Sequence, residues 1–121
     1  MSYPQSILEL ADDARTRITE VEARDLRQDP PGHWLYLDVR EKIEFDQGHI
    51  EGALHIPRLD LRDEILKVVP DKATPIVAYC AVGHRSALAA DELTDLGYRH
   101  VVSLKGGLNA LDQLDSVRQV A

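Results

Sequence analysis

The chain has little cysteine, few aromatic residues and a deficit of positive charge. Of its 121 residues one is cysteine, 5% are aromatic, and 14 Lys and Arg stand against 21 Asp and Glu. A single cysteine excludes an intrachain disulfide and favours a reducing compartment. The net charge of −7 disfavours nucleic-acid binding and adsorption to anionic membranes, because both need basic surfaces. We therefore expect neither nucleic acid nor membrane among the partners.

Long apolar runs are absent as well. No apolar run approaches the ~20 residues of a membrane-spanning helix. The N-terminal stretch carries the acids Glu9, Asp12 and Asp13 where a signal peptide has basic and apolar regions. These absences predict a cytoplasmic protein. The length and the 44% hydrophobic content predict one globular domain over residues 1–121.

Short apolar runs alternate with helix-like stretches along the chain. Residues 34–39 and 75–79 are nearly continuous apolar runs, which are typical of strands buried on both faces of a parallel sheet. Thr19 is predicted to cap a helix that ends before Pro30, because Glu22 follows at the spacing of a capping box. Further strands are predicted at 54–56 and 100–104, and helices at 5–16, 41–47, 60–69 with Asp60 as cap, 85–96 and 108–114. This alternation predicts an α/β fold with helices on both faces of a parallel sheet.

Cys80 lies at the end of the predicted strand 75–79, where ligands bind in such folds. A helix starts just after it, and the free N–H groups and positive dipole of a helix start stabilise a thiolate. Gly83 allows the loop to curl so that several N–H groups face one centre, and Arg85 adds a cation. A lone cysteine is more often a small buried apolar residue. It is the surrounding loop that favours a nucleophile here.

The loop resembles the active-site loop of the rhodanese family, in the residues Cys80-Ala81-Val82-Gly83-His84-Arg85-Ser86. Other pieces resemble the family in the same order and spacing: Asp38-Val39-Arg40, Glu44-Phe45, Gly48-His49-Ile50, Gly52-Ala53, Ile56-Pro57 and Leu104-Lys105-Gly106-Gly107. The resemblance covers residues 17–114 and leaves 1–16 as an N-terminal helical extension. It implies a rhodanese-like α/β domain with a five-stranded, mainly parallel sheet.

The resemblance also implies a reaction, namely sulfur transfer. Cys80 would take a sulfane sulfur from thiosulfate, a polysulfide or a persulfide, hold it as a persulfide within the loop 81–86, and pass it to a thiol or cyanide acceptor. A protein is a further candidate for donor or acceptor. The resemblance implies no metal and no organic cofactor. Ala81 and Val82 stand where the family often has basic or hydroxyl residues, so we expect thiosulfate, a dianion, to be a poorer donor than a polysulfide or persulfide.

Two other functions remain open from the sequence. One is a non-catalytic rhodanese-like module that binds a partner or senses redox state, although such modules often lack the cysteine. The other is a phosphatase or arsenate reductase. Related phosphatases place the loop arginine six positions after the cysteine, whereas Arg85 lies five after Cys80. The shorter loop is typical of a sulfur site.

Several other polar residues near the predicted site have two interpretations. Asp38 and Arg40 follow a buried strand and would form a pocket wall or, as we favour, a structural ion pair. Arg58 would reach the pocket mouth or, more commonly for such a residue, extend into solvent. Glu44 is expected as a helix cap or on a solvated helix face, and His84 at the rim of the loop. The pocket itself is expected to be shallow and open, because one domain alone forms it.

Overall fold

The computed structural model describes residues 5–30, 32–114 and 118–119, so both ends of the predicted domain 1–121 lie outside the described residues. Five parallel strands form the main sheet, in the order β1-β6-β5-β2-β4. These strands are β1 (Thr19–Val21), β2 (Leu35–Asp38), β4 (Leu54–His55), β5 (Ile76–Tyr79) and β6 (Val101–Leu104). The backbones of β3 (His49–Ile50) and β7 (Arg118–Gln119) form a separate antiparallel pair.

Helices cover both faces of this sheet. They are α1 (Gln5–Arg15), α2 (Ala23–Leu26), α3 (Lys42–Gln47), α4 (Leu61–Val68), α5 (His84–Asp95) and α6 (Gly107–Leu114), with a 3₁₀ turn at Arg58–Asp60. One apolar cluster lies under α4 and α5 and the other under α2 and α6. The predicted α/β fold with a five-stranded parallel sheet is confirmed.

Strand β5 lies at the centre of the sheet and contributes to both apolar clusters. Side chains alternate between the two faces of a strand. Ile76 and Ala78 accordingly belong to the α4–α5 cluster, whereas Val77 and Tyr79 belong to the α2–α6 cluster. Cys80 continues the alternation and belongs to the α4–α5 cluster. The register of the buried strand therefore directs the thiol towards the face that carries α5.

Two details of the predicted helix starts are wrong. Thr19 caps no helix, because residues 19–21 form the edge strand β1, paired with Val102–Leu104 of β6. Helix α2 starts four residues later, after Glu22. The β-branched residues of this segment suit a strand, and the pairing with β6 outweighs the local capping pattern. Asp60 precedes α4 but makes no side-chain capping hydrogen bond, because it is itself part of the 3₁₀ turn.

Helix α1 is part of the packed structure. Its residues Ala11 and Ala14 are fully buried, and the helix lies against α5. Small side chains at this spacing let two helix backbones approach closely. Among the described residues, none of the helices has both the length and the apolar character needed to cross a bilayer.

Candidate active site

The Cys80 thiol is fully buried at the start of α5. Its Sγ accepts hydrogen bonds from the backbone N–H of Gly83, at 3.1 Å, and of Ser86, at 3.3 Å. The thiol in turn donates to the Ser86 hydroxyl oxygen at 3.5 Å. The two N–H groups and the N-terminal end of α5 favour negative charge on the sulfur.

Gly83 makes this convergence possible. Its backbone is left-handed, with φ 101° and ψ −2°, at the residue before α5 begins. Residues with a Cβ rarely adopt this conformation. It turns the loop so that the N–H groups of Gly83 and Ser86 both meet Cys80. Two N–H groups of the loop therefore face the Cys80 sulfur.

A second hydroxyl supports the loop from strand β6. Ser103 is fully buried, and its Oγ lies 2.8 Å from Ser86 Oγ. This hydrogen bond orients the hydroxyl that faces the sulfur. Sequence analysis missed Ser103, although a serine within the apolar strand Val101–Leu104 was the available signal.

Helix α6 holds the loop by donating hydrogen bonds to the loop's backbone carbonyls. The N–H of Leu108 donates to Cys80 O at 2.8 Å, and the N–H of Asn109 donates to Ala81 O at 3.1 Å. Gly107 allows this approach, because a Cβ there would lie 2.5 Å from the carbonyl oxygens of Cys80 and Ala81. The pair Gly106-Gly107, predicted only as a turn, thus lets α6 dock on the cysteine loop.

Arg85 forms an ion pair with Glu44 of α3. Its two terminal nitrogens donate to the two carboxylate oxygens at 2.6 and 2.9 Å. Hydrogen bonds from the Arg85 guanidinium lower the pKa of Glu44. Glu44 belongs to the capping box of α3, as expected for a cap, but its side chain is only 30% exposed and is also bound to the loop. The cation next to Cys80 is therefore offset by a carboxylate.

The end of the loop that leads into α5 contacts α1. Arg15 donates from Nη2 to the Gly83 carbonyl at 3.1 Å, and the same nitrogen lies 3.2 Å from His84 Nδ1. His84 is partly exposed, as expected for a residue at the rim of the loop. Neither the sequence pattern nor the family resemblance pointed to Arg15.

Asp38 and Arg40 form the buried ion pair that we favoured from the sequence. Arg40 donates to both carboxylate oxygens of Asp38 and also to the Gly48 carbonyl at 2.7 Å. The Arg40 guanidinium lies 5.9 Å from the centre of the Tyr79 ring. The pair joins the end of β2 to the end of α3. Neither residue is among those that line the cavity beside the loop.

A cavity of about 90 Å³ lies next to the loop. Its lining residues are Ile7, Val39, Glu41, Arg58, Leu59 and Arg85. Arg58 therefore reaches the pocket and is not simply a solvated side chain. Arg58 also lines a larger open cleft of about 500 Å³, where Arg17 and Arg62 are paired with acids of α5. Whatever the depth of the pocket, the Cys80 thiol itself is not exposed.

The described histidines and acids do not assemble a metal site. Within residues 5–30, 32–114 and 118–119 there is no cluster of three or more His, Cys, Asp or Glu side chains that could hold a metal ion. His49 stacks on the Phe45 ring, with a centroid separation of 3.7 Å, and its Nδ1 lies 2.9 Å from the Phe45 carbonyl. These contacts give His49 a packing role beside α3.

The chain is similar in sequence to several known proteins. The chain is 36% identical over 74 residues to thiosulfate sulfurtransferase PspE of Escherichia coli strain K12, which covers 61% of this chain and 69% of that protein. It is 30% identical over 102 residues to the tRNA uridine(34) hydroxylase of Erwinia tasmaniensis, which covers 81% of this chain but 29% of the hydroxylase. The matched part is thus less than a third of that longer protein.

The fold is also found among solved structures. A Rhodopseudomonas palustris protein described as a possible tyrosine phosphatase superposes with a TM-score of 0.80 and 26% identity, over 94% of each chain. The family model of the Rhodanese-like domain matches residues 19–113. That match contains every strand of the five-stranded sheet and the whole Cys80 loop. The chain belongs to the rhodanese-like domain family.

Proposed function

We propose that the protein is a sulfurtransferase that carries sulfane sulfur as a persulfide on Cys80. The observation that carries this proposal is the pair of N–H groups, from Gly83 and Ser86, directed at Sγ. Donors fixed in this way stabilise an anionic sulfur without reorganising during the reaction. The identity to a thiosulfate sulfurtransferase supports the same chemistry.

The reaction divides into two displacements on sulfur. The Cys80 thiolate attacks the outer sulfur of the donor, a sulfur–sulfur bond forms, and the donor's own bond to that sulfur breaks. Sulfite leaves from thiosulfate, and a thiolate leaves from a persulfide. A thiolate or cyanide then attacks the outer sulfur of the Cys80 persulfide and regenerates the thiolate. One covalent intermediate shared by two half-reactions predicts ping-pong kinetics.

The charges around the cavity bear on the class of donor. Glu44 offsets Arg85, and Glu41 lines the same cavity as Arg58. Ala81 and Val82 add no charge. A site whose cations are each accompanied by a carboxylate attracts a dianion weakly. These features support a polysulfide, a low-molecular-weight persulfide or a protein persulfide as a better donor than thiosulfate.

The burial of Cys80 sets a requirement for turnover. With the thiol fully buried, a donor reaches it only when the loop or the side chains around the cavity move. The reaction therefore includes an opening step before sulfur transfer. A protein or other thiol acceptor would engage the loop at the same place, since the persulfide's outer sulfur is the group that it attacks.

Intact mass spectrometry tests this proposal. The protein is incubated briefly with thiosulfate or with polysulfide, and Cys80→Ser is the control. We expect a gain of one sulfur atom in the wild type, its loss on addition of cyanide or dithiothreitol, and no gain in the variant. If no donor gives an adduct while Cys80 still titrates as a free thiol, the carrier function is refuted and a non-catalytic binding or redox-sensing module takes its place. Hydrolysis of an aryl phosphate by the wild type would instead support a phosphatase.

A further inference from the structure

Helix α1 lies outside the residues matched by the family model, which begin at residue 19. It is nevertheless packed on α5, the helix that starts at the Cys80 loop, with Ala11 and Ala14 fully buried in the contact. Arg15, its last residue, extends to the loop itself. The extension therefore contacts the site at one identifiable side chain.

The Arg15 guanidinium is held in a fixed orientation. Its Nη1 donates to Asp12 at 3.0 Å and its Nε donates to Glu20 at 3.1 Å. Two carboxylates on different elements leave Nη2 directed at the loop, and the side chain is 24% exposed. Arginine carries a planar fork of donors, so these three directions are coupled. A change at one contact alters the other two.

The contact that matters is the one with Gly83. Arg15 Nη2 donates to the Gly83 carbonyl at 3.1 Å, and that carbonyl also accepts from the N–H of Ala87, in the first turn of α5, at a longer 3.3 Å. The N–H of the same Gly83 donates to Cys80 Sγ at 3.1 Å. Glycine has a wide range of accessible backbone angles. Arg15 therefore restricts the orientation of the residue whose N–H faces the sulfur.

His84 contacts the same Arg15 nitrogen that donates to the Gly83 carbonyl. Because a guanidinium only donates hydrogen bonds, His84 Nδ1 is the acceptor in its 3.2 Å contact with Arg15 Nη2. Within the described part of the chain, the side chains that contact the Arg15 guanidinium include Asp12, Glu20 and His84. The two carboxylates keep the Arg15 guanidinium in place, and Nη2 is left to donate to the loop.

We propose that Arg15 is a positioning residue that holds the Gly83 N–H on the Cys80 sulfur, so that α1 is an accessory part of the sulfur-carrying loop. The inference rests on the proposed function only for its effect on sulfur loading. Its effect on the thiol itself is independent of any sulfur donor. Without Arg15 the Gly83 residue samples other orientations, and the thiolate and persulfide lose part of their stabilisation.

The test compares Arg15→Met with Arg17→Met. Arg17 also binds α5, through Asp91 at 2.7 Å, and Asp13 of α1 at 2.9 Å, but no hydrogen bond in the described residues joins it to the loop. The two variants therefore lose the same charge and a similar anchor. Thiolate formation is followed by ultraviolet absorbance against pH, with Cys80→Ser as the blank. Because Cys80 is the sole cysteine, the difference signal belongs to it.

We expect Arg15→Met to raise the pH midpoint of thiolate formation and to slow sulfur loading at neutral pH about tenfold. Arg17→Met should leave both unchanged, whatever it does to thermal stability. Arg15→Lys keeps the charge but not the fork, and an intermediate midpoint is expected. If Arg15→Met does not fold, Arg15→Lys decides in its place. A wild-type midpoint in the folded Arg15 variant, or an equal shift in Arg17→Met, overturns the inference. If the wild type takes up no sulfur but the midpoint still moves, the positioning role stands and the proposed function fails.

Discussion

Replacing Gly107 with alanine measures how closely α6 must approach the Cys80 loop. The added Cβ would lie 2.5 Å from the backbone of Cys80 and Ala81. Ordinary van der Waals contact begins near 3.4 Å, so the helix must withdraw from the loop by about 0.9 Å. That movement lengthens the hydrogen bonds from Leu108 and Asn109 to the loop carbonyls, now 2.8 and 3.1 Å.

The expected loss of stability has two parts. The Gly107 backbone is left-handed, with φ 63°, and a residue with a Cβ pays about 1–2 kcal/mol there. Weakening two hydrogen bonds adds about 0.5–1.5 kcal/mol each. The free energy of unfolding should therefore fall by about 2–5 kcal/mol. Sulfur loading of Cys80 should fall as well, because the carbonyls that α6 holds belong to the reactive loop.

Gly52→Ala is the matched control for backbone strain. Gly52 has a comparable φ of 82°, and a Cβ there meets nothing within 4 Å. This variant should lose only about 1–2 kcal/mol for the left-handed backbone, and it should load sulfur normally. Urea unfolding followed by circular dichroism gives both values. Equal losses in the two variants would refute the reasoning that close contact with the loop is what Gly107 provides.

Three further predictions concern the loop and its partners. Arg85 lowers the pKa of Glu44, so their ion pair stabilises the fold above pH 4.5 and loses its effect as the pH falls below that value. Glu44→Gln should therefore lower the free energy of unfolding by about 1–2 kcal/mol at neutral pH, and a difference that persists unchanged in acid would contradict this. Ser103→Ala should cost about 1–3 kcal/mol by removing the partner of Ser86, and the double change to alanine should recover much of it; no recovery in urea unfolding would count against the pair. In steady-state assays kcat/KM should be higher for a polysulfide or persulfide than for thiosulfate, and the reverse order would contradict the argument from Ala81 and Val82.

Local patterns predicted the sheet and the position of the cysteine. The apolar runs that became β2 and β5 are buried along most of their length, and a strand buried on both faces has few alternatives in a sequence of this composition. The start of α5 after Gly83 is a local feature too, because it depends on one left-handed residue and the helix that follows. The buried strands and the start of α5 could therefore be predicted without knowledge of distant contacts.

The errors occur where a distant partner decides the outcome. Thr19 and Glu22 have the spacing of a capping box, yet residues 19–21 pair with β6, which lies some eighty positions away in the chain. Glu44 has one local role, since it takes part in the capping box of α3 with Glu41. Its second partner, Arg85, is 41 residues distant. Spacing along the chain holds no information on such pairs.

The source of charge stabilisation at the sulfur is the main revision that the structure makes. From the sequence, Arg85 was expected to add a cation near Cys80. In the structure its guanidinium is bound at both terminal nitrogens by Glu44, so much of its field is cancelled at short range. The groups that act directly on Sγ are the neutral N–H donors of Gly83 and Ser86. Because hydrogen bonds to sulfur depend steeply on direction, the residues that orient the loop matter for the thiolate as much as any charge. That is why Gly107 and Arg15, which never touch the sulfur in the structure, are expected to change its chemistry.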